Sequence, residues 1–209
     1  MSYFNQAYNL IRYVLAGDGQ VGLRKSQVGA LHATSAHFTL QERPAVIVLP
    51  TGAGKTAVLM LTPYMLRASR TLIITQSRFV RDQITQDYKA LRTLKLVQAL
   101  PEDLPPPAIF ENKKTICSIE EWETFRQYDA VIALPNSASP AYKQLPSLPR
   151  DLFDLVLIDE AHHSIAPTWN ALMDAFPYAR CVLFTATPFR RDGKEIKGKY
   201  AGWLTKRIN

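Results

Sequence analysis

Short apolar runs recur along this chain at residues 46–49, 71–75, 130–134, 155–158 and 181–184. Each is too short for a helix and lacks alternation, the pattern of a strand buried on both faces. Between them lie stretches of helical period. Residues 57–67 are apolar nearly all round and predict a buried helix containing Pro63. Ser77 can cap a helix whose core stripe is Val80, Ile84, Tyr88 and Leu91. Upstream, Phe4, Ala7, Leu10, Ile11, Val14 and Leu15 share one helical face that Gly17-Asp18-Gly19 should stop, making residues 1–20 an N-terminal helix. A second helix is expected over 23–36. Residues 94–100 read as a weak edge strand, 101–107 with their four prolines as a surface excursion, and 114–119 as a further strand. A short helix is expected at 120–125, and 135–149 has no periodicity. Strands alternating with helices predict an α/β domain with a mostly parallel sheet flanked by helices. Its ligands should lie at the carboxyl ends of the strands.

The strand at 46–49 runs into Pro50-Thr51-Gly52-Ala53-Gly54-Lys55-Thr56 and then into a helix. Two glycines let the backbone curl, so that successive N–H groups point inward at a helix N-terminus and attract anionic oxygens. Lys55 adds a point charge for the outer phosphates of a nucleotide, and the Thr56 hydroxyl can sit on Mg²⁺. Leu49 stands where one form of this loop has glycine, and Gly52 partly compensates. Shortly before it, Gln27 lies in Leu23-Arg24-Lys25-Ser26-Gln27. It is either an ordinary exposed helix residue or a reader of adenine, whose N6 and N7 a glutamine amide can pair.

The strand at 155–158 ends in Asp159-Glu160-Ala161-His162-His163. Two carboxylates at the mouth of an apolar strand are costly unless a cation or a reaction uses them. Asp159 can hold Mg²⁺, and Glu160 can orient and deprotonate a water that attacks the γ-phosphate of ATP. The histidine spacing does not suit one helical face, which argues against zinc. The strand at 181–184 delivers Thr185-Ala186-Thr187-Pro188, hydroxyls that would by themselves read as local backbone caps.

Charge adds one asymmetry. The net charge is +7, but Arg190 to Asn209 holds seven basic and two acidic residues, so the body is close to balanced. Arg78, Arg81 and Lys89 lie off the core stripe of their helix, by default a solvated face. Cys117 and Cys181 are too few for a disulfide framework or metal knuckle. No apolar stretch reaches the ~18 residues a membrane span needs, and the N-terminus lacks the pattern of a signal peptide, so a cytosolic (cytoplasmic) protein with no membrane partner is expected.

Pro-Thr-Gly-Ala-Gly-Lys-Thr at 50–56, Asp-Glu-Ala-His at 159–162 and Thr-Ala-Thr-Pro at 185–188, in that order and spacing, resemble the first RecA-like domain of superfamily-2 helicases and translocases. Residues 23–27 resemble that family's glutamine motif, and 75–83 occupy the place of its first nucleic-acid motif. The doubled histidine and Thr-Ala-Thr-Pro-Phe-Arg-Arg-Asp-Gly look most like the branch containing type I and type III restriction translocase subunits.

The resemblance implies a RecA-like ATP-binding domain over 21–193 and a basic tail over 194–209. By resemblance, Thr185 and Thr187 couple the nucleotide site to nucleic acid, and His162 contacts the γ-phosphate or that coupling motif. Arg78 and Arg81 then track phosphates of nucleic acid, with DNA favoured over RNA. The 180–184 strand should lie between the phosphate-loop strand and the Asp159 strand. Such motors use a second RecA-like domain carrying an arginine finger, and no later motif fits before Asn209. The leading expectation is the ATP-binding half of a nucleic-acid helicase or translocase, incomplete without that second domain. The alternative is a nucleotide-dependent interaction module with little turnover, and a plain phosphate-loop kinase ranks third.

Overall fold

Among the described residues there are six strands, five of them on the apolar runs and β3 outside them: β1 (Ala45–Val48), β2 (Thr71–Ile74), β3 (Ile109–Glu111), β4 (Ala130–Ala133), β5 (Leu155–Ile158) and β6 (Arg180–Thr185). They form one open sheet in the order β1-β6-β5-β2-β4-β3, parallel throughout. The computed structural model describes residues 2–138, 148–161 and 166–187, the side chains of 166–170 excepted. His162, His163, Pro188, Arg190, Arg191 and the 194–209 tail, all named above, lie outside the described residues.

Successive strand residues face opposite sides, so the sheet builds two cores. Ile47, Ile73, Ile132, Leu157, Val182 and Phe184 meet α1 (Tyr3–Ala7), α2 (Lys25–Leu40), α3 (Lys55–Met65), α4 (Arg78–Ala90) and α5 (Arg92–Leu96). Val46, Leu72, Ile74, Val131, Val156, Ile158 and Leu183 meet Trp122 of α6 (Ile119–Glu123), Ala138 of α7 (Pro135–Ala138) and Leu172 of α8 (Ala166–Ala175). Every α3 residue from Ala57 to Met65 is buried, as its all-round apolarity predicts. The helix after Ser77 also forms as expected, with the Ser77 hydroxyl accepting the Val80 N–H at 3.2 Å. Among the described residues no helix is long and apolar enough to cross a membrane.

Elsewhere the chain departs from its periodicity. The N-terminal helix stops at Ala7, followed by one 3₁₀ turn at Tyr8–Leu10. Beyond it, Leu23 N–H donates to Val14 O and Ala16 N–H to Leu23 O, so 14–16 pair with the chain before α2 instead of continuing the helix. Only Phe4 and Ala7 of the expected stripe are buried. Residues 92–96 are helical rather than an edge strand: Leu91 turns into the left-handed region at φ 52°, and the Asp87 carboxylate caps the Thr93 N–H at 2.7 Å. The strand expected at 114–119 lies upstream as β3. Asp129 takes the Ala108 N–H at 2.7 Å and Asn112 N–H donates to Ile132 O at 2.8 Å, which pins that segment to β4. The turn of helix at Pro135–Ala138 and all of α8 also fall where no helix is predicted.

Arg81 overturns the expectation of a solvated face. It is 5% exposed, and its guanidinium pairs with Glu111 of β3 at 2.9 Å and Asp82 at 2.8 Å. The helical wheel could not show that an acidic strand end would stand beside it, giving the charge a partner that makes burial tolerable. Arg81→Ala should cost about 3 kcal/mol by stranding Glu111, only part-compensated by Lys113. For a chain of this size that lowers Tm by roughly 6–12 °C, whereas Arg78→Ala at an exposed position should fall within about 0.5 kcal/mol of wild type. Thermal denaturation of both variants checks the pair.

Candidate nucleotide site

The site is built where the sheet order departs from chain order. β1 and β2 stand three places apart, and the gap is filled late in the chain by β6 and β5. The loop after β1 and the turn after β5 are therefore separated by a single strand, about 10 Å at the usual strand spacing. A lysine from one side and a carboxylate side chain from the other together cross that distance. At the head of α3, the Lys55 ammonium pairs with Asp159 at 3.2 Å and more closely with Glu160.

Local sequence shapes the loop. Ala53 N–H closes a turn onto Pro50 O at 3.0 Å, and Gly52 and Gly54 take φ of 82° and 78°, the left-handed region open to glycine at little cost. Gly54 sits immediately before α3, so the first N–H groups of the helix open at the loop. The start of α2 holds the loop from outside: Arg24 donates to Gly52 O, and the Gln27 amide donates to Gly54 O at 2.9 Å. Gln27 is buried, not an exposed helix residue, and its Oε1 also accepts the Arg24 N–H at 2.7 Å. These bonds use one amide donor and one lone pair, and a primary amide has two of each.

Across the gap, Asp159 N–H donates to Ile74 O at 2.8 Å, and Glu160 adopts φ 49°. For a residue with a side chain this left-handed backbone costs about 1–2 kcal/mol. Among the described residues two contacts support it: the Asp159 carboxylate accepts the Glu160 N–H at 3.0 Å, and Gln76, two residues beyond β2, donates to Glu160 O at 3.0 Å. Burial raises the Asp159 pKa above the ordinary carboxylate value, the nearby Lys55 ammonium opposing it and the Glu160 carboxylate reinforcing it.

An acid whose pKa is raised by folding contributes stability that is complete below its unfolded pKa and lost as pH rises through the folded value. At pH 7 the ionised Asp159 is thus a cost to the fold. Asp159→Asn should melt above wild type at pH 7, and the gap should close as the pH is lowered toward the ordinary aspartate value of ~3.9. Melting curves across that range read it directly.

Two carboxylates face one ammonium here, leaving a local excess of negative charge. An all-oxygen donor set of Asp159 and the Thr56 hydroxyl suits Mg²⁺, which keeps waters and phosphate oxygens as its remaining ligands. No group of three or more His, Cys, Asp or Glu that could hold a metal ion occurs among the described residues. Thr185 is fully buried at the end of β6, directly beside Val48 of β1, where the resemblance places it. Its hydroxyl donates to Thr187 O at 2.7 Å and accepts the Thr187 N–H at 3.2 Å, so the two threonines form one local turn.

Sequence reasoning passed over Arg24 and Gln76. Arg24 lies inside the singled-out 23–27 stretch, but nothing in its spacing shows a loop carbonyl 28 residues away. Gln76 sits between a strand and a cap signal, and its partner is 84 residues on. Exposed Arg78 and buried Arg81 are not brought together as one cationic face.

A family model for the type III restriction enzyme, res subunit, matches residues 20–190. Among solved structures, a hypothetical ATP-dependent RNA helicase from Sulfolobus tokodaii is similar at 18% identity and a TM-score of 0.57, over 82% of this chain and 48% of that one. The UvsW helicase from bacteriophage T4 is similar at 16% identity and a TM-score of 0.57, over 91% of this chain and 61% of that one. This chain thus spans 48% and 61% of the two helicases. No curated protein matches the sequence. A glycine loop, an acidic turn and a threonine turn stand on three neighbouring strands of a helicase-type sheet, within a family match over residues 20–190; the chain belongs to the family of the type III restriction enzyme res subunit, as a superfamily-2 first RecA-like domain.

Proposed function

We propose that this domain binds ATP with Mg²⁺ and hydrolyses it as the nucleotide-binding half of a cytosolic motor on nucleic acid, with duplex DNA the preferred track. The carrying observation is the Lys55 ammonium held between Asp159 and Glu160 at the mouth of a glycine loop. Residues 50–56 cradle the phosphates, with Lys55 on the outer ones, and Gln27 selects adenine. Thr56 and Asp159 would hold Mg²⁺, which would neutralise phosphate charge. Glu160 orients the attacking water and takes its proton. Thr185 and Thr187 relay the nucleotide state, and His162 is assigned by the resemblance to the γ-phosphate or to that coupling motif.

The nucleic-acid face lies at the carboxyl ends of β2 and β4, which are adjacent strands. Exposed Arg78 supplies the contact there, and Arg81 serves it through the fold by tying α4 to β3. Such a face reads phosphates and not bases. The test is ATP hydrolysis and oligonucleotide binding with duplex DNA, single-stranded DNA and RNA over a salt series. Each phosphate contact contributes about −0.7 to −0.9 to the slope of log K against log salt. Arg78→Ala should flatten that slope by about one contact for every sequence and leave ATP binding unchanged. Hydrolysis too slow to detect with any nucleic acid even when a second RecA-like domain is supplied in trans, beside intact ATP binding, would favour the interaction module instead.

The loop glycines give a sharper check on ATP binding. A Cβ on Gly54 would lie 2.2 Å from Gln27 Nε2, whereas one on Gly52 meets nothing within 4 Å. Both carry positive φ, so each alanine pays backbone strain. Gly54→Ala must also expel Gln27, and should weaken ATP roughly tenfold or more beyond Gly52→Ala, in line with one lost adenine-pairing side chain at about 1–3 kcal/mol. Isothermal titration of the two variants compares them.

A further inference from the structure

Gln76 is used by nothing in the nucleotide chemistry above, yet its side chain holds the backbone of the residue assigned to activate water. The acidic turn after β5 is referenced to β2 at both ends. Asp159 N–H is held by Ile74 O at 2.8 Å, and Glu160 O by the Gln76 amide at 3.0 Å. Among the described residues the phosphate loop reaches this turn through the Lys55 side chain.

Gln76 itself is fixed on either side. Thr75 N–H before it donates to Ala133 O at 3.0 Å, and Ser77 after it caps α4. Arg78 and Phe79 follow at once, both exposed, Phe79 by 78%. From an exposed arginine to the Glu160 carbonyl the path is therefore two residues of backbone and one hydrogen bond. Glu160 stands in a left-handed backbone that a side chain disfavours, so its carboxylate direction depends on whatever holds that carbonyl.

We infer that Gln76 is a positioning residue for Glu160, and that its amide links the exposed end of α4 to water activation. The inference rests on the proposed role of Glu160. A phosphate drawn onto Ser77 and Arg78 shifts the capped end of α4, and with it the donor that sets the Glu160 turn. Nucleotide affinity should be indifferent to this bond, because the phosphates meet the loop and Lys55. The hydrolysis step should not be.

The test uses residues 1–209 in three forms beside wild type: Gln76→Met, which keeps length and volume without a donor, Gln76→Glu, which sets a carboxylate against the Glu160 carbonyl, and Glu160→Gln. Equilibrium binding of a fluorescent ATP analogue and single-turnover hydrolysis of ATP are measured with and without duplex DNA. Both Gln76 variants should keep analogue affinity within about twofold, which also certifies their fold, and should hydrolyse about tenfold more slowly, the range of a misplaced general base. Duplex DNA should accelerate wild type and leave both variants unaccelerated. Wild-type rates in both Gln76 variants, beside an inactive Glu160→Gln, would overturn the role of Gln76 alone. Hydrolysis persisting in Glu160→Gln would remove the water-activating role of Glu160 and the inference with it. A duplex response equal in wild type and Gln76→Met, or absent from wild type, would overturn the link to α4.

Discussion

Glu160→Gln should abolish ATP hydrolysis while binding ATP as well as wild type or better, and Lys55→Ala should lose ATP affinity. Lys55 meets phosphate charge already present in bound ATP, so its loss removes charge-assisted hydrogen bonds worth about 1.5–3 kcal/mol, or roughly 10–100-fold in affinity. Glu160 acts on a proton that moves only during reaction, and general-base catalysis contributes about 10²–10⁴-fold. The structure adds a sign. Glu160 is the closer of the two carboxylates on Lys55 in this chain, and ATP must compete with it for the ammonium. Removing its charge eases that competition. Titration with ATP and single-turnover assays separate the two effects, and a Glu160→Gln variant that lost ATP as severely as Lys55→Ala would end this division of roles.

A polypeptide of residues 1–209 should turn ATP over very slowly, and a second RecA-like domain added in trans should accelerate it by a large factor. An arginine finger is worth about 10³–10⁵ in rate in related phosphoryl-transfer systems, because it meets charge that develops only in the transition state. Among the described residues the cation at the acidic turn is Lys55, which is committed to the ground-state phosphates in this reading. The two helicases this fold matches extend well past the matched region, with 48% and 61% of their chains covered. Steady-state ATPase of residues 1–209, alone and titrated with a following domain from a relative, measures the factor. A turnover of ~1–100 s⁻¹ from residues 1–209 alone would refute the dependence.

Local chemistry is strong enough at the centre of this protein for the sequence to determine it. Residues 46–49 and 155–158 are apolar without alternation and too short for a helix, and a strand covered on both faces keeps such a run from water. Gly52 and Gly54 before Lys55-Thr56 read as an anion cradle and Asp159-Glu160 at a strand mouth as a cation-seeking turn, and the structure brings the Lys55 ammonium to both carboxylates. The order and spacing of those motifs, read as a resemblance, also anticipated that β6 stands between β1 and β5.

What depended on the tertiary structure is everything carried by contacts between distant segments. Periodicity reports which face of an element is buried, and is silent on what lies opposite. Arg81 therefore looked like a solvated charge until β3 brought Glu111 to it, and residues 114–119 looked like a strand until Asp129 pinned 109–111 to β4 instead. Hydrophobic spacing continued the first helix to Leu15, but the chain after Leu10 found backbone partners at Leu23 and Ala99 and left the helix for them. Gln27 and Gln76 are the plainest cases. Each is one polar residue without periodic signal, and its partner, Gly54 or Glu160, comes within hydrogen-bonding reach only when the sheet assembles, because a side-chain amide declares what it can bond and never where that bond will be found.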